Sequence, residues 1–138
     1  MNRVLAIDFG EVRVGLALSD LTCTIAKPYK TINYNDMDHL LIQLLDIIKE
    51  NDVNQLVVGM PYNMKGEDTK QTKIVKDFVL IIEEKLECNV NIVDERLTST
   101  EAEKFMHQMD IKVGHNKDKI DKIAASIILQ EYLETYNV

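Results

Sequence analysis

The hydrophobic period of this chain first changes near residue 35, and that change restricts the folds open to it. Before it, apolar side chains run continuously or recur at every second position, as strands require. After it, helix-spaced segments alternate with short apolar runs. Val4-Leu5-Ala6-Ile7 continues the segment begun by Arg3 and stops at Asp8, the pattern of a central strand covered on both faces. Gly10 and Glu11 allow a tight turn into Val12-Arg13-Val14-Gly15-Leu16-Ala17-Leu18, whose larger apolar groups alternate as in a strand with one buried face. A third extended piece, about Thr24 to Tyr34, carries Pro28 and therefore belongs near a sheet edge.

Beyond the change, Leu40, Leu41, Leu44, Leu45, Ile47 and Ile48 predict a helix behind a cap at Asn35 or Asp36. Leu56 to Gly59 reads as a short buried strand. A loop with Pro61 and Gly66 leads to a second helical stripe, Ile74, Val75, Phe78, Val79, Ile81, Ile82 and Leu86. Val90 to Val93 is the fifth strand, and Thr98 with Glu101 fits a capping box opening a short helix, with Gly114 in the loop beyond. The last helix runs from about Lys117 to Tyr132, with Ile120, Ile123, Ala124, Ile127, Ile128 and Tyr132 on its buried arc. A meander followed by strand and helix alternation implies an α/β fold: a mixed five-stranded sheet with helices on both faces.

At 138 residues, with 46% hydrophobic and 28% charged residues and no linker or repeat, residues 1–138 read as one domain with a core that needs no staples. Cys23 and Cys88 form no C-x-x-C and have no histidine at ligand spacing, so both read as small buried hydrophobes in a reducing compartment. The apolar N-terminal run is too short for a signal peptide and no stretch approaches a membrane span, so a cytoplasmic protein is expected. A net charge of −7 argues against sequence-blind binding of nucleic acid through a wholly basic surface, while leaving room for a local basic patch.

Three acids stand out. Asp8 ends a buried strand, where a carboxylate needs a partner or a cation; Arg13 is the structural alternative. Asp94 and Glu95 follow another buried strand, and alternation sends them to opposite sides, so one of the two points toward the strand end of Asp8. A helix dipole beyond them is the alternative explanation for either charge. Asp121 falls inside the buried arc of the last helix, where Ala124, Ala125 and Ser126 permit close approach to the sheet. Carboxylates from three separate elements suit Mg²⁺ or Mn²⁺, hard ions that prefer oxygen ligands.

The motifs Ala6-Ile7-Asp8-Phe9-Gly10-Glu11-x-Arg13-x-Gly15-x-Ala17, Val57-Val58-Gly59-Met60-Pro61 with Asn63-Met64-x-Gly66, Asp94-Glu95-Arg96-Leu97-Thr98, and Ile120-Asp121-x-Ile123-Ala124-Ala125 with Leu129-Gln130 resemble the YqgF/RuvX-like family, in order, over nearly the whole chain. The resemblance implies a ribonuclease H-like fold related to Holliday-junction resolvases. It also implies a nuclease that matures the 5′ end of pre-16S ribosomal RNA, with Asp8, Glu95 and Asp121 as catalytic acids and ligands of Mg²⁺ or Mn²⁺. Nucleases of this fold usually supply an acid from the fourth strand, which here ends at Gly59, so the Asp94-Glu95 pair of the fifth stands in for it.

Arg13 and Arg96 adjoin the proposed acids and either hold a phosphate or pair with those acids. Lys112, His115, Lys117, Lys119 and Lys122 form a locally basic stretch beside Asp121, a backbone guide or simply a solvated surface. Lys65, Lys70, Lys73 and Lys76 offer another such track. Few aromatics interleave with basic residues, so no base-stacking platform is expected. The partner expected is nucleic acid, pre-rRNA in its ribosomal context with ribosomal proteins nearby, or branched DNA if the chain acts as a resolvase. A non-catalytic docking module is the further alternative, and a two-lobed ATP-binding enzyme is opposed by the single-lobe length.

Overall fold

The structure, a computed structural model, describes residues 2–95 and 117–136. Strands β1 (Arg3–Phe9), β2 (Arg13–Ser19) and β3 (Ala26–Asn33) form the meander. Helix α1 (Met37–Glu50), β4 (Val53–Met60), α2 (Lys70–Lys85), β5 (Asn89–Asp94) and α3 (Lys117–Tyr136) follow. The sheet order is β3-β2-β1-β4-β5. β1 pairs antiparallel with β2 and parallel with β4, β2 pairs antiparallel with β3, and β4 pairs parallel with β5. The mixed five-stranded sheet read from the sequence is therefore the one observed, with Pro28 on the edge strand β3, where the β2–β3 register shifts. The expected short helix opened by Thr98 and Glu101, and the loop at Gly114, lie outside the described residues.

Local signals account for the helix starts. Of the two cap candidates, Asp36 is the one used: its carboxylate accepts from the His39 N–H at 2.8 Å. At α2, Thr69 and Thr72 cap reciprocally, and the buried Thr72 hydroxyl donates to the Pro61 carbonyl at 2.7 Å. That bond ties the helix start to the loop leaving β4.

The two faces of the sheet differ in side-chain size. Toward α1 and α2 point Leu5, Ile7, Phe9, Leu16, Leu18, Leu56, Val58 and Met60, meeting Leu40, Leu44, Phe78 and Ile82 in the larger core. The opposite face carries Val4, Ala6, Ala17 and Val57, which pack with Val93 against Ala125, Ile128, Leu129, Tyr132 and Leu133 of α3. Small residues on this face let a helix lie close, and the buried stripe of α3 differs from the expected arc for that reason. Ile123, Ala125, Ile128, Leu129, Tyr132 and Leu133 are buried, whereas Ile120, Ala124 and Ile127 are only half-buried. Ala125, with no exposure, packs within this core. Gln130 fastens the helix to the start of β3, accepting from the Ala26 N–H at 2.9 Å.

Both cysteines are half-buried rather than fully buried as expected. Cys88 packs at the margin of the larger core and Cys23 at the margin of the α3 core. Among the described residues no helix is long and apolar enough to cross a membrane.

The tightest approach of α3 is at Gly15, where a Cβ would collide with the main-chain carbonyl of Asp121. Backbone of this kind cannot step aside without moving the helix. Gly15→Ala is expected to destabilise the protein by about 1–3 kcal/mol, the usual penalty for overpacking. Urea unfolding checks this, and an unchanged midpoint would mean that α3 is free to shift.

Candidate active site

The strand period decides which side chains share the site. Asp8 has the parity of Val4 and Ala6, so it projects toward α3, and it lies across the β1–β2 ladder from Gly15. Glu95 has the parity of Val93, which also faces α3. Its N–H donates to the Met60 carbonyl at 3.2 Å, extending the β4–β5 pairing past the end of the strand. A side chain at Gly59 would run into Glu95 Oε2 and Ile128 Cδ1, so glycine leaves the space that the Glu95 carboxyl occupies. Asp94, of opposite parity, is exposed. The choice that the sequence left open between the two acids falls on Glu95 as the one sharing the face of Asp8.

Asp121 reaches the same region from α3. Its Oδ2 accepts a hydrogen bond from Arg13 Nε at 2.7 Å, with both side chains partly buried. Arg13 has the parity of Gly15 and Ala17, which puts it on the α3 face beside them. The sequence offered Asp8 or the other proposed acids as partners for Arg13, and a close ion pair is formed with Asp121.

The turn bearing Arg13 is braced from the larger core. Gly10 N–H donates to the Arg13 carbonyl at 3.0 Å, and the Tyr34 hydroxyl donates to the Gly10 carbonyl at 2.8 Å. Phe9 stacks on Phe78 with ring centroids 4.0 Å apart and tilts against Tyr34 at 5.9 Å. Sequence reasoning missed Tyr34, Gly15 and Gly59 as supports of the site. An isolated glycine within an apolar strand was the available signal for the last two.

The electrostatics follow from burial and crowding. Asp8 is pushed up to about 7, first by loss of water and then by the negative charge of Asp121. Glu95 is pushed up to about 8, again chiefly by desolvation, then by the charges of Asp8 and Asp94. Asp8 is thus raised by Asp121 and itself raises Glu95. The carboxylate oxygens are the donors a hard divalent cation prefers, and the repulsion between Asp8 and Glu95 is what such a cation relieves. As the side chains stand, no group of three or more His, Cys, Asp or Glu among the described residues is gathered tightly enough to hold a metal ion. One oxygen of Asp121 is engaged by Arg13.

Of the expected nucleic-acid contacts, Lys119 is exposed on the first turn of α3, Lys117 begins that helix, and Arg96 lies outside the described residues, as do Lys112 and His115. On the other basic track Lys65, Lys70 and Lys73 are exposed, while Lys76 pairs with Asp68 at 2.6 Å.

The profile of the family described as "RuvX: Holliday junction resolvase" matches residues 2–135. This chain belongs to the RuvX family. A relative from Chloroflexus aurantiacus is 40% identical over 131 residues, covering 95% of this chain and 86% of its own, and another from Fusobacterium nucleatum is 38% identical over 137 residues, covering 97% and 98%. Both bear the name "Putative pre-16S rRNA nuclease". Among solved structures, RuvC of T. thermophilus in complex with a Holliday junction substrate superposes with a TM-score of 0.60 at 11% identity, covering 99% of this chain and 97% of that one. The resolvase of fowlpox virus, with Holliday junction DNA, gives 0.56 at 9% identity over 96% and 97%. At such identities the likeness is one of fold, and the RuvX chain has the ribonuclease H-like fold that its motifs implied.

Raised carboxyl values carry a stability consequence. A native acid with a raised pKa binds its proton more tightly than the unfolded chain does, so its contribution is fully present below the unfolded value and is lost as pH rises through the folded one. For Asp8 and Glu95 that window runs from near 4 to about 7 and 8. In EDTA the protein should lose stability across it, and Asp8→Asn should flatten the loss, making the variant the more stable form at pH 8. Urea midpoints at pH 4.5, 6 and 8 test this; parallel pH profiles for the two proteins would refute the assignment of the strain to Asp8.

Proposed function

We propose that this RuvX-family chain is a metal-dependent nuclease that hydrolyses phosphodiester bonds in precursor 16S rRNA, trimming its 5′ end in the cytoplasm. The observation that carries the chemistry is the crowding of Asp8 and Glu95 on one face of the sheet, where burial raises both and the charge of Asp8 opposes the ionisation of Glu95. The substrate is taken from the names of the relatives at 38–40% identity.

In this reading Asp8, Glu95 and Asp121 are the ligands of Mg²⁺ or Mn²⁺. The ion, when bound, supplies Lewis acidity that activates water and stabilises the leaving oxygen. Asp8 and Glu95, both raised by burial, would hold such an ion in their ionised form. Arg13 positions the Asp121 carboxylate, and its guanidinium is also the group a substrate phosphate competes for. Arg96, Lys117 and Lys119 contact the nucleic-acid backbone, supplying positive charge that the acidic chain as a whole does not. A net charge of −7 favours a target presented within a ribosomal particle, with ribosomal proteins in contact, over naked RNA. The family's description supports a second reading, cleavage of branched DNA.

The test is cleavage of a 5′-extended pre-16S RNA, free and in particles, and of a four-way DNA junction, with Mg²⁺, Mn²⁺ or EDTA. The expected result is metal-dependent cutting of the RNA that falls by about 100-fold or more in Asp8→Asn. Cutting of the junction alone would select the second reading. Cutting that survives both EDTA and the substitution would refute the proposed site.

A further inference from the structure

A cavity of about 500 Å³ opens at the other end of the sheet, lined in part by Arg3, Asp20, Leu21, Lys27, Pro28 and Tyr29. Arg3 and Asp8 are five residues apart on one strand, roughly 17 Å at the rise of an extended chain, so this cavity is separate from the acids. Its size is that of a small-ligand pocket.

Its polar groups are unbalanced. The Nε of Arg3 is buried with no hydrogen-bond partner among the described residues, and the one contact of its guanidinium is a long bond, 3.4 Å, from Nη1 to Asn51 Oδ1. A buried guanidinium donor without an acceptor is costly, because nothing replaces the water it has lost. Lys27, exposed on the rim, makes no ion pair among the described residues. The acid in the lining does not neutralise them. Asp20 spends its carboxylate on its own turn, accepting from the Thr22 hydroxyl at 2.6 Å, the Thr24 N–H at 2.8 Å and the Ile25 N–H at 3.1 Å. Two cations against one engaged anion leave this spot positive in a chain of net charge −7. Beside the charges stand the apolar surfaces of Leu21, Pro28 and the Tyr29 ring.

We propose that this cavity binds a nucleoside phosphate, with Arg3 and Lys27 holding the phosphate and the Leu21, Pro28 and Tyr29 surfaces accepting the nucleoside. A phosphate supplies the anion that the two cations in the lining, Arg3 and Lys27, lack, and a guanidinium suits it. The nucleoside phosphate is either free or a unit of an RNA chain, since both present the same chemistry. The site does not depend on the nuclease reading, and its binding needs no divalent ion.

The probe is adenosine 5′-monophosphate, titrated into the full-length protein in EDTA by calorimetry, with amide shifts mapped by NMR. Saturable binding is expected, with shifts at 18–29 and about tenfold weakening in Arg3→Gln and in Lys27→Gln. Lys27 is exposed, so its substitution tests the site even if the Arg3 variant does not fold. Asp8→Asn should bind the probe as the wild type does. A 5′-hydroxyl oligoribonucleotide that displaces the probe identifies an RNA unit as the occupant, and one that does not identifies a free nucleotide. Absence of saturable binding, binding indifferent to Lys27→Gln, or inorganic phosphate binding as tightly as the nucleotide overturns the proposal.

Discussion

Everything at the acidic end of the molecule depends on how closely α3 lies on the sheet. The approach is set by what is missing from the strands: no Cβ at Gly15, where the Asp121 carbonyl sits, and none at Gly59, where the Glu95 carboxyl and Ile128 sit. A sheet face of ordinary branched residues would hold a helix at the usual separation of packed layers and leave a carboxylate from the helix out of range of one from a strand. Here Ala6, Ala17 and Ala125 complete a contact in which backbone meets backbone. The opposite face, with leucines, isoleucine, methionine and stacked phenylalanines, supplies the bulk of the hydrophobic burial and makes the sheet a rigid floor. One face is specialised for stability and the other for proximity.

Proximity on a dry face has an electrostatic consequence. Burial removes the water that would screen like charges, so the same packing that brings the acids together makes their simultaneous ionisation unfavourable. Arg13 is held against Asp121 by a close ion pair. It is placed by a turn that the larger core braces through Phe9, Phe78 and Tyr34, so the two cores meet mechanically at this turn.

The elements were legible because their signals are local. Period separates the strands from the helices, Pro28 marks an edge, and one of the two cap positions read for α1, Asp36, is the one used. Asp8 was legible because a carboxylate that ends an apolar strand is anomalous in its immediate context, and Asp121 because it interrupts an apolar arc. The arrangement of those groups was not legible. Arg13 and Asp121 are 108 residues apart, and whether Arg13 meets Asp8 or Asp121 depends on the path of a helix that no local pattern specifies. Asp94 and Glu95 are separated only by the register with β4, through the bond from Glu95 to Met60. The stripe that α3 buries differs from the expected arc because helix rotation answers to the side-chain sizes of the partner face. Arg96 and the residues up to 116 lie beyond what the structure describes.

The charge balance at the acidic end links the fold to the proposed chemistry. Asp121 is paired with Arg13, and near neutral pH the buried Asp8 and Glu95 carboxyls are inclined to keep protons that ordinary surface acids have lost. A cation held between them, as proposed, would have to displace those protons, and its affinity would rise with pH until both are ionised. The packing therefore holds like charges close together. It achieves this without a strained backbone, since none of the left-handed non-glycine residues, Cys23, Asp52 and Glu87, belongs to it. The strain is electrostatic and is held by packing: relaxing it would require α3 to withdraw from the sheet, at the expense of the buried contacts of Ala125, Ile128 and Leu129.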